Sequence, residues 1–205
     1  MHSVSTGAVP VVVVPGAPLL VPELVGAPGD PDADDLRAAA VAAARRLGAR
    51  AARWRVVTTG EGGPVPSVPD GVGTLRGFGA DVDVTLAPGE RGPADPTWPA
   101  WALVAGWLRG VAAPHATVTA GPPEPGDGLL FVLDGPNTLT AKAPGGHRPE
   151  DTGVFARQVD AVCSGGPVAG LTPAWAAAAT ACRDRDVEVL YRGAPFGVGY
   201  LVATA

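Results

Sequence analysis

The chain has 205 residues, 46% apolar and 17% charged, which is enough for one substantial core and lies inside the globular range. A formal net charge of −5, with no basic run longer than Arg45-Arg46, leaves no electrostatic footprint for a nucleic-acid partner. The 29 glycines and 23 prolines fall between strong apolar runs, so they read as loop punctuation in a packed fold and not as disorder.

The first run, Val9–Val14, is β-branched apart from Pro10 and ended by Pro15. It reads as a fully buried strand, too short for a membrane span or a signal core. No basic segment precedes it, so the sequence predicts a cytoplasmic protein with no membrane partner. The strand enters a rigid loop, Gly16-Ala17-Pro18-Leu19-Leu20-Val21-Pro22, with no acid, base or metal ligand before Glu23. After a Pro/Asp-rich loop, a helix is expected over Asp35–Gly48, its apolar face running through Leu36, Ala40, Ala43 and Leu47. Arg53–Thr59 reads as the second strand, Gly60–Gly71 as a loop and Val82–Leu86 as a strand. Thr97 can cap a helix that runs to Val111.

Ala116–Ala120 reads as a short strand, and Leu129–Leu133 as a second wholly apolar one, ending at Asp134-Gly135. Helices are expected at Glu150–Cys163 and at Pro173–Arg183, the latter opened by Thr172-Pro173. Strands Val187–Tyr191 and Val198–Ala203 flank a turn at Arg192–Gly197. Buried strands separated by helices predict one domain over residues 1–205, a three-layer α/β/α sandwich around a mostly parallel or mixed sheet. Val9–Val14, Val56–Thr58 and Leu129–Leu133 should be its central strands. Cys163 and Cys182 fall in separate helices. Without a secretory signal they read as buried free thiols, with a disulfide as the alternative.

Residues that carry chemistry are sparse. His2 is near the terminus, His115 follows Pro114 in a loop, and His147 lies just past the carboxyl end of an apolar strand. His147 is the best placed, although an exposed loop residue is the first reading even there. No two histidines have the spacing that metal sites commonly use. Glu23, Glu61 and Asp134 are the carboxylates near strand ends. Asp134 reads first as a turn residue and second as a cleft residue. Glu61, in Gly60-Glu61-Gly62-Gly63, lacks the phosphate-loop pattern, and no Gly-x-Ser-x-Gly elbow occurs. The five tryptophans mostly occupy helix faces and are expected in the core.

Three segments, in order, resemble one family. Val14-Pro15-Gly16-Ala17-Pro18-Leu19-Leu20-Val21-Pro22 is similar to a Pro-His-Pro-Pro-Leu-Leu loop. Leu133-Asp134-Gly135-Pro136-Asn137-Thr138-Leu139-Thr140, with Ala143-Pro144-Gly145-Gly146, is similar to Gly-Asp-Leu-Ser-His-Arg-Leu-Thr followed by Ala-Pro-Gly-Gly. Tyr191 with Ala194-Pro195-Phe196-Gly197-Val198-Gly199-Tyr200 is similar to a Tyr-Glu-x-Pro-Phe-Gly-Val-Gly-Tyr ending. The family is the class III extradiol ring-cleavage dioxygenases, the LigB-like superfamily, and especially its short actinobacterial members.

The resemblance implies a LigB-like sandwich with a ferrous ion held by two histidines and a glutamate, and a further histidine as acid/base. Position by position, the first ligand falls on Gly16 and the second near Gly60 or Glu61. The acid/base histidine falls on Asn137, and the glutamate near Gly193, beside Arg192. Of the groups that matter, Asp134 alone matches. Glycine offers no ligand, and asparagine does not take up a proton at neutral pH.

The expectation is therefore a non-catalytic protein without a cofactor, either a small-molecule binder or a structural or regulatory subunit. The alternative is an Fe(II)-dependent dioxygenase, or another oxidoreductase or hydrolase, with a site rebuilt from Glu23, Glu61, Asp134 and His147. The segments carrying Gly16, Gly60-Glu61, Asp134–Asn137 and Gly193 should surround one concavity. The resemblance also implies a small aromatic ligand, and pairing as a homodimer or with a related dioxygenase-like subunit. The tryptophans, Gly60–Gly71 and Ala87–Pro99 are the candidate contact surface for that pairing.

Overall fold

The apolar run forms β1 (Val11–Val14), buried at every position. In this computed structural model, which describes residues 8–24, 30–58 and 68–205, Val12 and Val14 pack into one core and Val11 and Val13 into another. A strand covered on both faces needs apolar side chains throughout, so the run shows no alternation. Pairing starts at Val11 and not at Val9. Pro10 has no N–H to offer, although its carbonyl accepts from the Leu129 N–H at 2.8 Å.

α1 (Pro31–Arg50) is longer than the helix the periodicity predicts. The Asp30 carboxylate accepts from the Asp32 and Ala33 N–H groups, and Pro31 suits the first turn, so the helix begins in what reads as loop. β2 (Arg53–Thr58), β3 (Val72–Thr74), β4 (Asp83–Thr85) and β5 (Ala94–Asp95) lead to α2 (Ala100–Ala112). The expected Val82–Leu86 strand is present as β4 but lies outside the main sheet, in a separate three-stranded one with order β4-β3-β5. Thr97 does not cap α2. Its N–H and hydroxyl both bond Asp95 Oδ1, at 2.8 and 2.6 Å, and the helix starts after Pro99.

β6 (Thr117–Thr119), β7 (Gly128–Val132), α3 (Asp151–Ser164), α4 (Pro173–Cys182), β8 (Glu188–Gly193) and β9 (Tyr200–Thr204) follow. The main sheet is six-stranded, with order β6-β2-β7-β1-β9-β8. β1, β2, β6 and β7 run parallel, and β9 is antiparallel to both β1 and β8. α1 and α2 pack on one face, α3 and α4 on the other. The fold is thus a three-layer α/β/α sandwich on a mixed sheet, and the three strands expected at its centre each have a neighbour on both sides.

Trp54 and Trp175 are fully buried, and Trp98 and Trp107 nearly so. Those four are core and do not supply the contact surface suggested for the tryptophans. Cys163 and Cys182 are free thiols, half-buried and buried. Burial pushes Cys182 up to about 11, so it is an inert thiol at neutral pH. No helix among the described residues is long and apolar enough to cross a membrane.

One topological detail positions the site. β1 continues into α1 on one face, whereas its neighbour β7 continues into α3 on the other. Chains leaving two adjacent parallel strands in opposite directions open a crevice beyond their carboxyl ends, where ligands bind in such sheets.

Candidate functional site

Gly16 follows β1 and Asp134 follows β7, so the crevice falls between them. The Gly16 N–H donates to Asp134 Oδ1 at 3.1 Å. A Cβ at Gly16 would stand 3.1 Å from Asp134 Oδ2 and 3.3 Å from Val132 Cγ1, so the missing side chain is what lets the carboxylate lie against the loop. Asp134 does not turn the chain locally. It spans two strand ends, and its backbone carbonyl accepts from Trp175 Nε1 at 3.2 Å.

The two other segments of the resemblance zip onto this point. The Gly135 N–H donates to the Gly199 carbonyl at 2.8 Å, and the Gly199 N–H to the Pro136 carbonyl at 3.0 Å. The Leu139 N–H bonds the Gly197 carbonyl, and the Gly145 N–H the Asn137 carbonyl, both at 2.9 Å. Gly197 must be glycine on two counts. Its φ of +80° is left-handed, and a Cβ would lie 2.3 Å from the Ala143 Cα. The Pro/Gly runs that looked like generic loop thus form one close-packed rim.

Beside that rim is a cleft of about 520 Å³, lined by Gly16, Pro18, Leu19, Asp134, Val198 and Tyr200 among others. Leu24, the partly exposed Phe78 and Ala100 at the start of α2 complete its apolar wall. Burial raises Asp134 to about 6, only partly opposed by the Gly16 hydrogen bond. Burial also lifts the Tyr200 phenol well above its ordinary range, with Asp134 as the second cause, so this phenol stays neutral and the two groups are electrostatic neighbours. No salt bridge reaches Asp134 among the described residues.

The remaining candidates scatter. Gly193 pairs with Tyr200 at the same sheet edge, and a Cβ there would meet the Tyr191 hydroxyl at 2.8 Å. Asn137 is exposed, its Oδ1 against Gly145. His147 is exposed in the loop beyond, and neither residue lines the cleft. Glu23 is exposed on a short 3-10 turn. His115 is exposed and touches the Gly48 carbonyl at 3.2 Å. Gly60, Glu61 and His2 lie outside the described residues.

Among the described residues, no three His, Cys, Asp or Glu side chains gather as a metal-holding group. Gly16 and Gly193 carry no donor atom, and the Asn137 side chain is turned to Gly145. Among the described residues, the side chains at these positions do not supply the two histidines and a carboxylate of a ferrous site. Tyr200, Val198, Leu24, Phe78 and Ala100 were not foreseen as lining residues. Val198 and Tyr200 alone had a usable signal, since both lie in the third segment of the resemblance. Compared with protein-family models and with curated proteins, the chain matches none.

Proposed function

We propose that this chain is a non-catalytic, small-molecule-binding protein on a scaffold similar to the class III extradiol dioxygenases. One observation carries the reading: three segments far apart in sequence, those that resemble the family, pack around a single cleft at the switch between β1 and β7. The cleft has the size of a small-ligand pocket, with apolar walls and one convergent carboxylate. Its floor is glycine where the resemblance implies a metal ligand, and Asn137 stands where it implies an acid/base. Asparagine can orient a ligand through hydrogen bonds but does not take up a proton at neutral pH.

Anaerobic titration of the purified protein with ferrous iron, followed by catechol and O₂, tests the non-catalytic half. The expected result is substoichiometric iron and no yellow ring-cleavage product. Near-stoichiometric iron, with product formation abolished in Asp134→Ala, would establish the rebuilt enzyme instead. The binding half is tested by titrating small aromatic compounds and following backbone amide resonances. Saturable shifts at Gly16 and Gly199 are expected, and shifts elsewhere, or none, would remove it.

A further inference from the structure

We propose that the cleft takes a small organic cation, an ammonium group on an apolar body about one ring in size, with the charge seated on Asp134. The inference rests on the small-molecule reading above and specifies its ligand class. It starts from the hydrogen-bonding capacity of Asp134. A carboxylate offers about four acceptor sites, and the Gly16 N–H occupies one of them, on Oδ1. No Lys, Arg or His stands within ion-pair distance among the described residues, and the carboxylate lines the cleft. A half-buried carboxylate without a counter-ion is held at a cost that a bound cation removes.

The walls narrow the choice further. Pro18, Leu19, Leu24, Phe78 and Val198 are apolar, and Tyr200, itself almost wholly buried, adds an aromatic side chain with a neutral phenol. An apolar body therefore fits everywhere except at the carboxylate. Aromatic faces beside a desolvated carboxylate also suit an ammonium group.

Charge beyond the walls has the same sign. Beyond burial, Asp134 and Tyr191 raise the Tyr200 phenol, and Asp32 and Asp35, near the start of α1, raise Tyr191. Among the described residues no basic residue lines the cleft, and Lys142, His147 and Arg148 of the rim loop are exposed outside it. Arg37 bonds the Leu20 carbonyl at 2.8 Å and pairs with Asp34 at 2.5 Å. Arg192 is exposed on β8, and its charge acts on Cys163 of α3, on the sheet face opposite α1 and α2. The start of α2 at Ala100 opposes this reading, because a helix N-terminus favours anions. That end amounts to roughly half a charge, against a full charge on Asp134. The Ala102 and Leu103 N–H groups are already bonded to the Pro99 carbonyl. The carboxylate dominates the cleft.

The test compares three ligands of matched shape, benzylamine, benzyl alcohol and benzoate, by calorimetry or amide shifts at pH 7.5 and low salt. Benzylamine is expected to bind about tenfold tighter than benzyl alcohol or better, as one charge-assisted contact would give, and benzoate not at all. Asp134→Asn, which keeps an oxygen for the Gly16 N–H, should bring benzylamine down to the level that benzyl alcohol shows on the same variant. Circular dichroism checks that this variant is folded, and Glu23→Gln serves as a charge-matched control that should change nothing. If benzyl alcohol matches benzylamine on the native protein, the cation is wrong and the small-molecule reading stands. Benzoate binding best would overturn the cation in favour of the α2 terminus. If none of the three binds, both readings fall.

Discussion

β7 has an aspartate just beyond each end, and the two are held in opposite ways. At the amino end the Asp127 side chain is fully buried and accepts from Arg55 Nε at 2.6 Å, from the Glu124 N–H at 2.8 Å and from Arg53 Nε. Burial alone would raise it, but the bonds from Arg55, the Glu124 amide and Arg53 outweigh that and bring it to about 2. At the carboxyl end Asp134 has one backbone donor and no cation among the described residues, and it sits near 6. One strand therefore carries a satisfied charge where the sheet is closed and an unsatisfied one where it opens. The first contributes stability; the second costs stability and is available to something outside the fold.

Removing the satisfied carboxylate should have the largest effect. Asp127→Asn leaves Arg55 and Arg53 facing a neutral amide, and loss of about 3 kcal/mol is expected in urea unfolding at pH 7, as for other broken buried pairs. Loss below the error of that measurement would make the clamp a surface ornament. Asp134→Asn should go the other way, gaining about 2 kcal/mol at pH 8 with nothing gained at pH 4. The sign follows from the raised pKa. Asp134's contribution is fully present below its unfolded value near 4 and is lost as pH rises through about 6, whereas Asp127's is present above about 4 and is lost as pH falls through about 2. An Asn variant no more stable than native at pH 8 would mean that the cleft carboxylate is already compensated.

Gly16→Ala is a smaller probe of the same end. Its Cβ would press on Asp134 and Val132, and a loss of about 1 kcal/mol in thermal unfolding is expected, together with a moved Asp134 titration by NMR. An unmoved titration would mean that the loop yields and the carboxylate does not. The smallest effect belongs to Arg46→Ala. That pair with Glu188 is bidentate but exposed on both sides, and no measurable change in unfolding midpoint is expected.

The central strands were legible because double burial writes itself as unbroken apolar runs at β1 and β7, and because helix faces such as Leu36-Ala40-Ala43-Leu47 keep their period. What was missed turns on contacts that leave no periodic trace. Asp30 begins α1 early through two backbone bonds, and Thr97 serves Asp95 instead of α2. The three-residue strands of the second sheet carry too few positions to reveal which sheet they join. Asp134 was legible as the one chemical group at a strand end. Its neighbours were not, since Tyr200, Phe78 and Ala100 are far apart in the chain and meet only at the folded cleft. His147 looked well placed along the chain and is exposed, because the 136–149 loop folds back on Asn137 and Thr138 and leaves it outside.

β9 lies between β1 and β8, with Val12 opposite Thr204 and Val13 opposite Ala203. An interior strand of the sheet is thus recruited from almost the opposite end of the sequence, and this loop closure is about as long as the chain allows. The entropy of closing so long a loop predicts that this pairing forms late, after the local packing of α1 on β1. Until β9 docks, β1 presents four valines along an unpaired edge, the kind of surface that captures other chains. Val198 and Tyr200 arrive with the same segment, so the cleft is among the last parts of the molecule to exist during refolding. A trapped intermediate lacking it should aggregate before it binds anything.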